Sequence, residues 1–328
     1  MKKKFFIILS LVTFIAIVLY TTLSSKKEEI IDVATTLEFE QYISSYNIYK
    51  GKQQDMLPTE DYHLFELKSV LFSNYAEKQR LIKLPKGEQM KMNGNGLPLF
   101  PNGTIMVKTF YYYNDARSPN DGNQLIETRL FIKKEEVWNV ATYVWNDSQT
   151  DAVLTKEGKD MEVSWVTASG ENQKIDYHIP SNNECASCHL SENKVAPLGP
   201  KMRNLNNTIV VKDSVVNQLQ HLQSLGILNS FDVKTVSTIV DYNDLEASLS
   251  DRAKAYLEMN CAHCHNPKGW KPEGGYDFSY ETSPKDGRIV EIKKEIKESI
   301  MDGTMPYMGV TVLDQGGINL IVEYIDSL

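Results

Sequence analysis

The 328-residue chain carries 35 Lys and Arg against 43 Asp and Glu, a formal charge of −8, and is 41% hydrophobic. That length and balance suit two or three globular domains whose cores close without disulfides. An acidic chain is a poor match for nucleic acid, which is bound through Lys and Arg on phosphate, so no nucleic-acid partner is expected.

Lys2, Lys3 and Lys4 precede an apolar run from Phe5 to Leu23, broken only by Ser10, Thr13, Thr21 and Thr22. A basic start before an apolar stretch is an export signal, and this one is about long enough to span a bilayer. No small-residue cleavage pattern follows, so residues 1–25 are expected to be an uncleaved anchor rather than a cleaved signal peptide. The positive-inside rule then leaves the lysines in the cytoplasm and the rest of the chain on the periplasmic side of the inner membrane, or in the periplasm if the signal is cut. Without residues 1–25 the formal charge is −11. Such a body suits solubility and a basic or neutral redox partner.

Residues 26–50 read as a linker. Residues 51–180 read as a β-rich domain, with loops up to about residue 102 and strands beyond. Gly103–Tyr113, Gln124–Lys133, Val137–Trp145 and Met161–Val166 are rich in β-branched and aromatic residues and are separated by turn-formers. Ser169-Gly170-Glu171-Asn172 is a hairpin loop. An antiparallel sandwich is the expected packing. After Pro180 helical patterns take over: 214–225 with Ser214 as N-cap, 248–262 opened by Ser248 and Asp251, and 315–328. The expected fold is multidomain, an N-terminal all-β, sandwich-like domain followed by an α-helical cytochrome c-type haem region. Its segments are 181–247 around the first motif below and 248–328 as a cytochrome c-like domain.

The chain has four cysteines. They form Cys185-Ala186-Ser187-Cys188-His189 and Cys261-Ala262-His263-Cys264-His265. C-x-x-C-H is the attachment pattern of c-type haem. Two thiols add across the two vinyl groups of one haem, and the following His supplies an imidazole to the iron. A redox dithiol or a four-cysteine zinc site accounts for neither histidine. Two covalently bound haems are therefore expected, held by Cys185, Cys188, Cys261 and Cys264, with His189 and His265 as iron ligands. For the sixth ligand of the first haem Met202 is the first candidate, with His178, His221, a residue of the β domain and an open position as the alternatives. His63 and His263 read as structural or exposed.

Further strings bear a resemblance beyond the two motifs. They are Pro98-Leu99-Phe100-Pro101, Pro119–Arg129, Ile179-Pro180-Ser181-Asn182-Asn183-Glu184-Cys185, Pro197-Leu198-Gly199-Pro200-Lys201, Arg252-Ala253-Lys254-Ala255-Tyr256-Leu257 and Met305-Pro306. Over residues 40–328 the chain resembles a bacterial family of two-haem c-type cytochromes. The resemblance implies that the β region and the haem region belong to one architecture; it supplies no substrate and does not require Met at position 202. Met305-Pro306 resembles the ligand loop of class I cytochromes c, which implies Met305 as the sixth ligand of the second haem, with Met308 as the substitute. The functional expectation is electron transfer in the periplasm or cell envelope, with no catalytic residues. The alternative is a di-haem peroxidase- or oxidase-like enzyme using an open site on the first haem. A third possibility is a β domain that binds a carbohydrate or partner, with Tyr111, Tyr112 and Tyr113 exposed.

Overall fold

The computed structural model describes residues 37–270 and 272–328, so the expected anchor over residues 1–25, with its basic start and apolar run, lies outside the described residues. Six strands run antiparallel in chain order: β1 (His63–Leu64), β2 (Glu77–Lys83), β3 (Ile105–Tyr113), β4 (Asn123–Lys134), β5 (Val137–Trp145) and β6 (Ala152–Thr155). The β4–β5 hairpin turns on Glu135 and Glu136, both at positive φ (51° and 62°), the backbone that matches the twist of the flanking strands.

The strands alternate between two apolar faces rather than between core and water. Leu81, Val107, Leu130 and Ala141 point to one side and meet Ile43, Ile48, Tyr49 and Tyr62. Ile82, Met106, Phe131 and Val140 point to the other and meet Cys185, Ala186, Val195, Met202 and Leu219. Each such side chain contributes on the order of 1.5–3 kcal/mol when fully buried. With both faces covered, β5 is buried along almost its whole length.

This arrangement corrects the expected fold class. There is no sandwich of two sheets followed by a helical haem region. The chain is mostly β, with a single six-stranded sheet over 63–155 and only 23% helix, so a C-terminal helical haem domain is not evident. The reason is in the coverage: non-sheet chain packs on both faces, so no second sheet is needed. Residues 43–49, expected in a linker, pack on the sheet. After β6 comes a separate hairpin, β7 (Lys159–Val166) with β8 (Asn172–Ile179); residues 181–247 then pack on the sheet's other face and contain two small ribbons, β9 (Leu190–Ser191) with β10 (Lys194–Val195) and β11 (Thr208–Val211) with β12 (Ser214–Asn217). The described residues form one compact unit.

Helices are short before residue 248: α1 (Asn182–Cys188), α2 (Met202–Leu205) and α3 (Gln218–Ser224). Three longer ones follow, α4 (Leu249–Asn260), α5 (Lys293–Met301) and α6 (Gln315–Ser327). Ser248 caps α4 as its sequence suggests, its side chain accepting from the Asp251 N–H. Tyr256 of α4 and Tyr324 of α6 share one apolar cluster. Among the described residues no helix is long and apolar enough to cross a membrane.

Candidate haem-attachment site

The first motif sits on α1, and local chemistry starts that helix where it does. Pro180 ends β8, and the Ser181 hydroxyl accepts from the Glu184 N–H at 3.3 Å while a Glu184 carboxylate oxygen accepts from the Ser181 N–H at 2.8 Å. This capping box satisfies two N–H groups that a helix start leaves open. Cys185 and Cys188, three apart, then project from one face of one turn. The helix lies on β5. Cys185 is buried there, with its Sγ 3.7 Å from Thr142 Oγ1. Burial raises both thiols, Cys188 to about 12, so both stand as neutral thiols. No disulfide joins the cysteines of either motif.

His189 follows as the C-cap of α1. Its Nδ1 lies 2.9 Å from the Ala196 carbonyl oxygen, which can only accept, so Nδ1 carries the proton. The Nε2 lone pair is then the ring's one acceptor, the form in which histidine binds a metal. Burial, with the nearby Arg129 and Lys108 charges, pushes its pKa down to about 3 and keeps the ring neutral. Phe131 of β4 braces it, with ring centroids 4.5 Å apart.

The second motif continues from α4. The Cys264 and His265 N–H groups both donate to the Cys261 carbonyl, at 3.1 and 3.0 Å, extending a helical turn through the motif. Asn266 then turns the chain: its side chain donates to the Ala262 carbonyl and accepts from the Lys268 N–H. Gly269 is required here, because a Cβ at that position would lie 2.5 Å from the Cys264 carbonyl oxygen. His265 stacks at a tilt on Phe278, 5.3 Å away, and burial lowers its pKa. Its Nδ1 is buried with no hydrogen-bond partner among the described residues.

The two motifs lie side by side. Cys188 and Cys264 are close enough that each thiolate would disfavour the other. The loops that follow are tied together: the Glu192 N–H donates to the Lys268 carbonyl at 3.0 Å, and their side chains form an ion pair. His189 and His263 line one cleft of about 180 Å³. His263, expected to be structural or exposed, is deeply placed, and burial brings its pKa down to about 4.

Comparison with family models, curated proteins and solved structures finds no match to this chain. The residues themselves therefore carry the functional reading.

The remaining expected ligands divide. Met305 is half-buried in the loop between α5 and α6, its N–H bound to the Ser299 carbonyl at 2.9 Å. Two residues on, Tyr307 reaches Trp270, with ring centroids 6.1 Å apart, so the Met305 loop lies along the turn that leaves the second motif. Met202 is fully buried in the same apolar cluster as Cys185. His178 is taken by carboxylates on both nitrogens, Asp160 at 2.6 Å and Glu184 at 3.1 Å. His221 lies on α3, its imidazolium form disfavouring that of His63 on β1. Tyr112 is buried and donates to the Asn74 carbonyl, whereas Tyr111 and Tyr113 are half-buried and pair with each other.

A row of cations beside the first motif has no counterpart among the expected site residues. Arg80, Lys108 and Arg129 are direct cross-strand neighbours on β2, β3 and β4, and Thr142 of β5 completes the row. They stand on the sheet face that carries Met106 and Phe131, toward α1. The visible signal is an alternation that breaks its own rule: Lys108 falls between Met106 and Phe110, where the inward positions of a strand are apolar.

Proposed function

We propose that this chain is a c-type cytochrome that carries two covalently attached haems and passes electrons on the periplasmic side of the inner membrane or in the periplasm. Its partners would be redox proteins, and residues 1–25 would hold it to the membrane. Bound haem would supply a one-electron iron centre. The chain's own residues do the rest. Cys185, Cys188, Cys261 and Cys264 would hold the group; His189 and His265, whose protonated forms burial disfavours, would ligate it; Phe131 and Phe278 pack against their rings; Met305 would close the second site. One observation carries the reading: all four cysteines fall in two C-x-x-C-H motifs that lie close together, and in each the closing histidine is half-buried with its protonated form disfavoured by burial. Ala196 supports it, because its carbonyl fixes the His189 tautomer that leaves Nε2 to a metal. The proximity of the motifs favours a short path for an electron between the two sites.

Expression with export and haem-attachment machinery should yield two haems per chain by mass and by haemochrome absorbance. Cys185→Ala with Cys188→Ala should leave one, and so should Cys261→Ala with Cys264→Ala. A parent chain that exports and folds without haem would sink the proposal.

A second reading, a di-haem peroxidase or oxidase, is favoured by the first site alone. His178 is occupied by two carboxylates, so unless Met202, which shares an apolar cluster with Cys185, took the place, a haem at the first motif would keep a position for small molecules. Carbon monoxide or cyanide separates the readings: spectra that ignore both ligands in both oxidation states support the electron carrier, and binding at one site supports the enzyme.

A further inference from the structure

We infer that Lys108, in the row with Arg80 and Arg129, and Lys78, two residues before Arg80 on the same face of β2, form the anchor for the two carboxylate side chains of the tetrapyrrole attached at Cys185 and Cys188. The inference rests on the two-haem reading and assigns a role to residues outside both motifs.

The starting point is a charge imbalance. Like charges opposite each other in a sheet repel, and an unpaired charge taken out of water is costly. The sheet face beside α1 nevertheless gathers Lys78, Arg80, Lys108 and Arg129. Among the described residues the nearby anions offset them only in part: Glu77 and Asp314 act on Lys78, and Glu77 on Arg80, without forming an ion pair with either. Glu127 is fully buried and committed twice: Arg129 binds it through two hydrogen bonds, at 2.8 and 2.6 Å, and Tyr177 donates to it at 2.8 Å. Glu66 reaches Arg80 at 3.7 Å, with its own side chain 46% exposed. Neither Lys108 nor Lys78 has an ion pair or a hydrogen bond to its ammonium among the described residues. Lys108 has only the face of Phe110, 4.5 Å from its Nζ. Two ammonium groups are thus left for anions brought from outside the chain.

The placement favours carboxylates of the attached group. Lys108 is deep enough that burial drives its pKa well below that of a free lysine, yet it keeps part of its surface accessible. The row adjoins the first motif: Thr142, at its end, touches the Cys185 sulfur, and the Arg129 and Lys108 charges both act on His189. Adjacent strands are about 4.8 Å apart, so Lys108, two strands from Thr142, stands about 10 Å from the thioether position. That is on the order of the width of a tetrapyrrole, whose two carboxylates leave from the edge opposite its two thioethers. Lys108 would meet one carboxylate, and Lys78, one strand farther out and opposite Phe110, would reach toward the other.

The test uses the exported, haem-loaded chain with Lys108→Gln, the double variant Lys78→Gln with Lys108→Gln, and the charge-keeping Lys108→Arg. Haems per chain are counted by mass, and both midpoint potentials are followed from acid to alkaline pH. The expected result is two haems in every variant. One midpoint moves negative in the glutamine variants and gains a dependence on pH, because carboxylates without their cations hold protons near neutrality. The other midpoint stays put, and Lys108→Arg stays close to the parent. Loss of one haem in Lys108→Gln but not in Lys108→Arg also supports the assignment, since charge alone separates them. Unchanged midpoints in the double variant, or loss of haem in the glutamine and arginine variants alike, would overturn it. So would a parent midpoint that shifts on adding inorganic phosphate, which would assign the lysines to a free anion. A parent chain without haem would instead refute the cytochrome reading, so the two failures are distinguishable.

Discussion

Glu127 is where the chain most depends on one side chain. Its carboxylate is fully buried and holds Arg129 by two hydrogen bonds and Tyr177 by a third. Removing one partner of a buried ion pair leaves the other charge uncompensated. Glu127→Gln keeps the shape and should lower the unfolding free energy by about 3 kcal/mol in a urea titration. Tyr177→Phe, which removes a single hydroxyl, should cost about 1 kcal/mol. Equal stability of Glu127→Gln and the parent would show that Arg129 finds another counter-charge. Met305 gives a second prediction at this scale. If it ligates the second iron, Met305→Ala should abolish the far-red absorption of a Met-ligated ferric haem and lower one midpoint potential, since a thioether ligand raises it. Met308→Ala should do neither; the reverse pattern would move the ligand by three residues. The four cysteines and the histidines that follow them are legible in the sequence because covalent attachment ties their chemistry to a fixed spacing. Lys78, Arg80, Lys108 and Arg129 are not, because they come together only when three strands are paired in register.

Elements were legible where one local signal dominated. β5, expected over Val137–Trp145, has those bounds, and α4 begins at the Ser248 cap. The segment from Ser214 misleads. Its apolar spacing suggests a helix with Ser214 as cap, but Ser214–Asn217 is β12, paired with β11 across a turn in which Lys212 and Asp213 have positive φ (47° and 65°). Val215 and Val216 favour the strand, and the helix starts only at Gln218, capped by Asn217. β1 and β2 were missed because Pro- and Gly-marked loops flank them, and their partner β3 is remote in sequence. The capping box on α1 yields a test. Ser181→Ala removes a side chain that accepts from Glu184 and should cost about 1 kcal/mol in thermal or urea unfolding. Because α1 positions Cys185 and Cys188, the same variant should attach its first haem more slowly while the second is unaffected. Equal attachment at both motifs would show that α1 is held by its packing on β5 and not by its cap. Gly269→Ala should act on the other motif, since its new methyl group would press on the Cys264 carbonyl.

On the scale of the whole molecule, one sheet serves as the floor for everything else, and the charges on that floor make its stability depend on pH. Lys78 faces Arg80 on its own strand and senses Glu77 and Asp314, yet burial dominates and brings its pKa down from 10.5 to about 7. Burial lowers Lys108 as well, with the neighbouring Arg80, Arg129 and Lys78 charges acting in the same direction and Glu127 against it. In the unfolded chain both lysines keep their protons until about pH 10.4. Between about pH 7 and that value the unfolded state therefore binds more protons than the folded one, and stability must rise with pH. For one lysine the slope is at most about 1.4 kcal/mol per pH unit. The comparison that isolates it is the haem-free chain, with all four cysteines changed to Ala, against the same chain with Lys78→Met. The difference in unfolding free energy between them should shrink steadily from pH 7 to pH 10 as the parent sheds the buried charge. If carboxylates of an attached haem stand at the row they would hold both lysines charged, and in the haem-loaded chain the same substitution should lose its alkaline dependence. A difference that is flat with pH in both forms would mean that the Lys78 ammonium reaches water and that the floor of the first site carries no unbalanced charge.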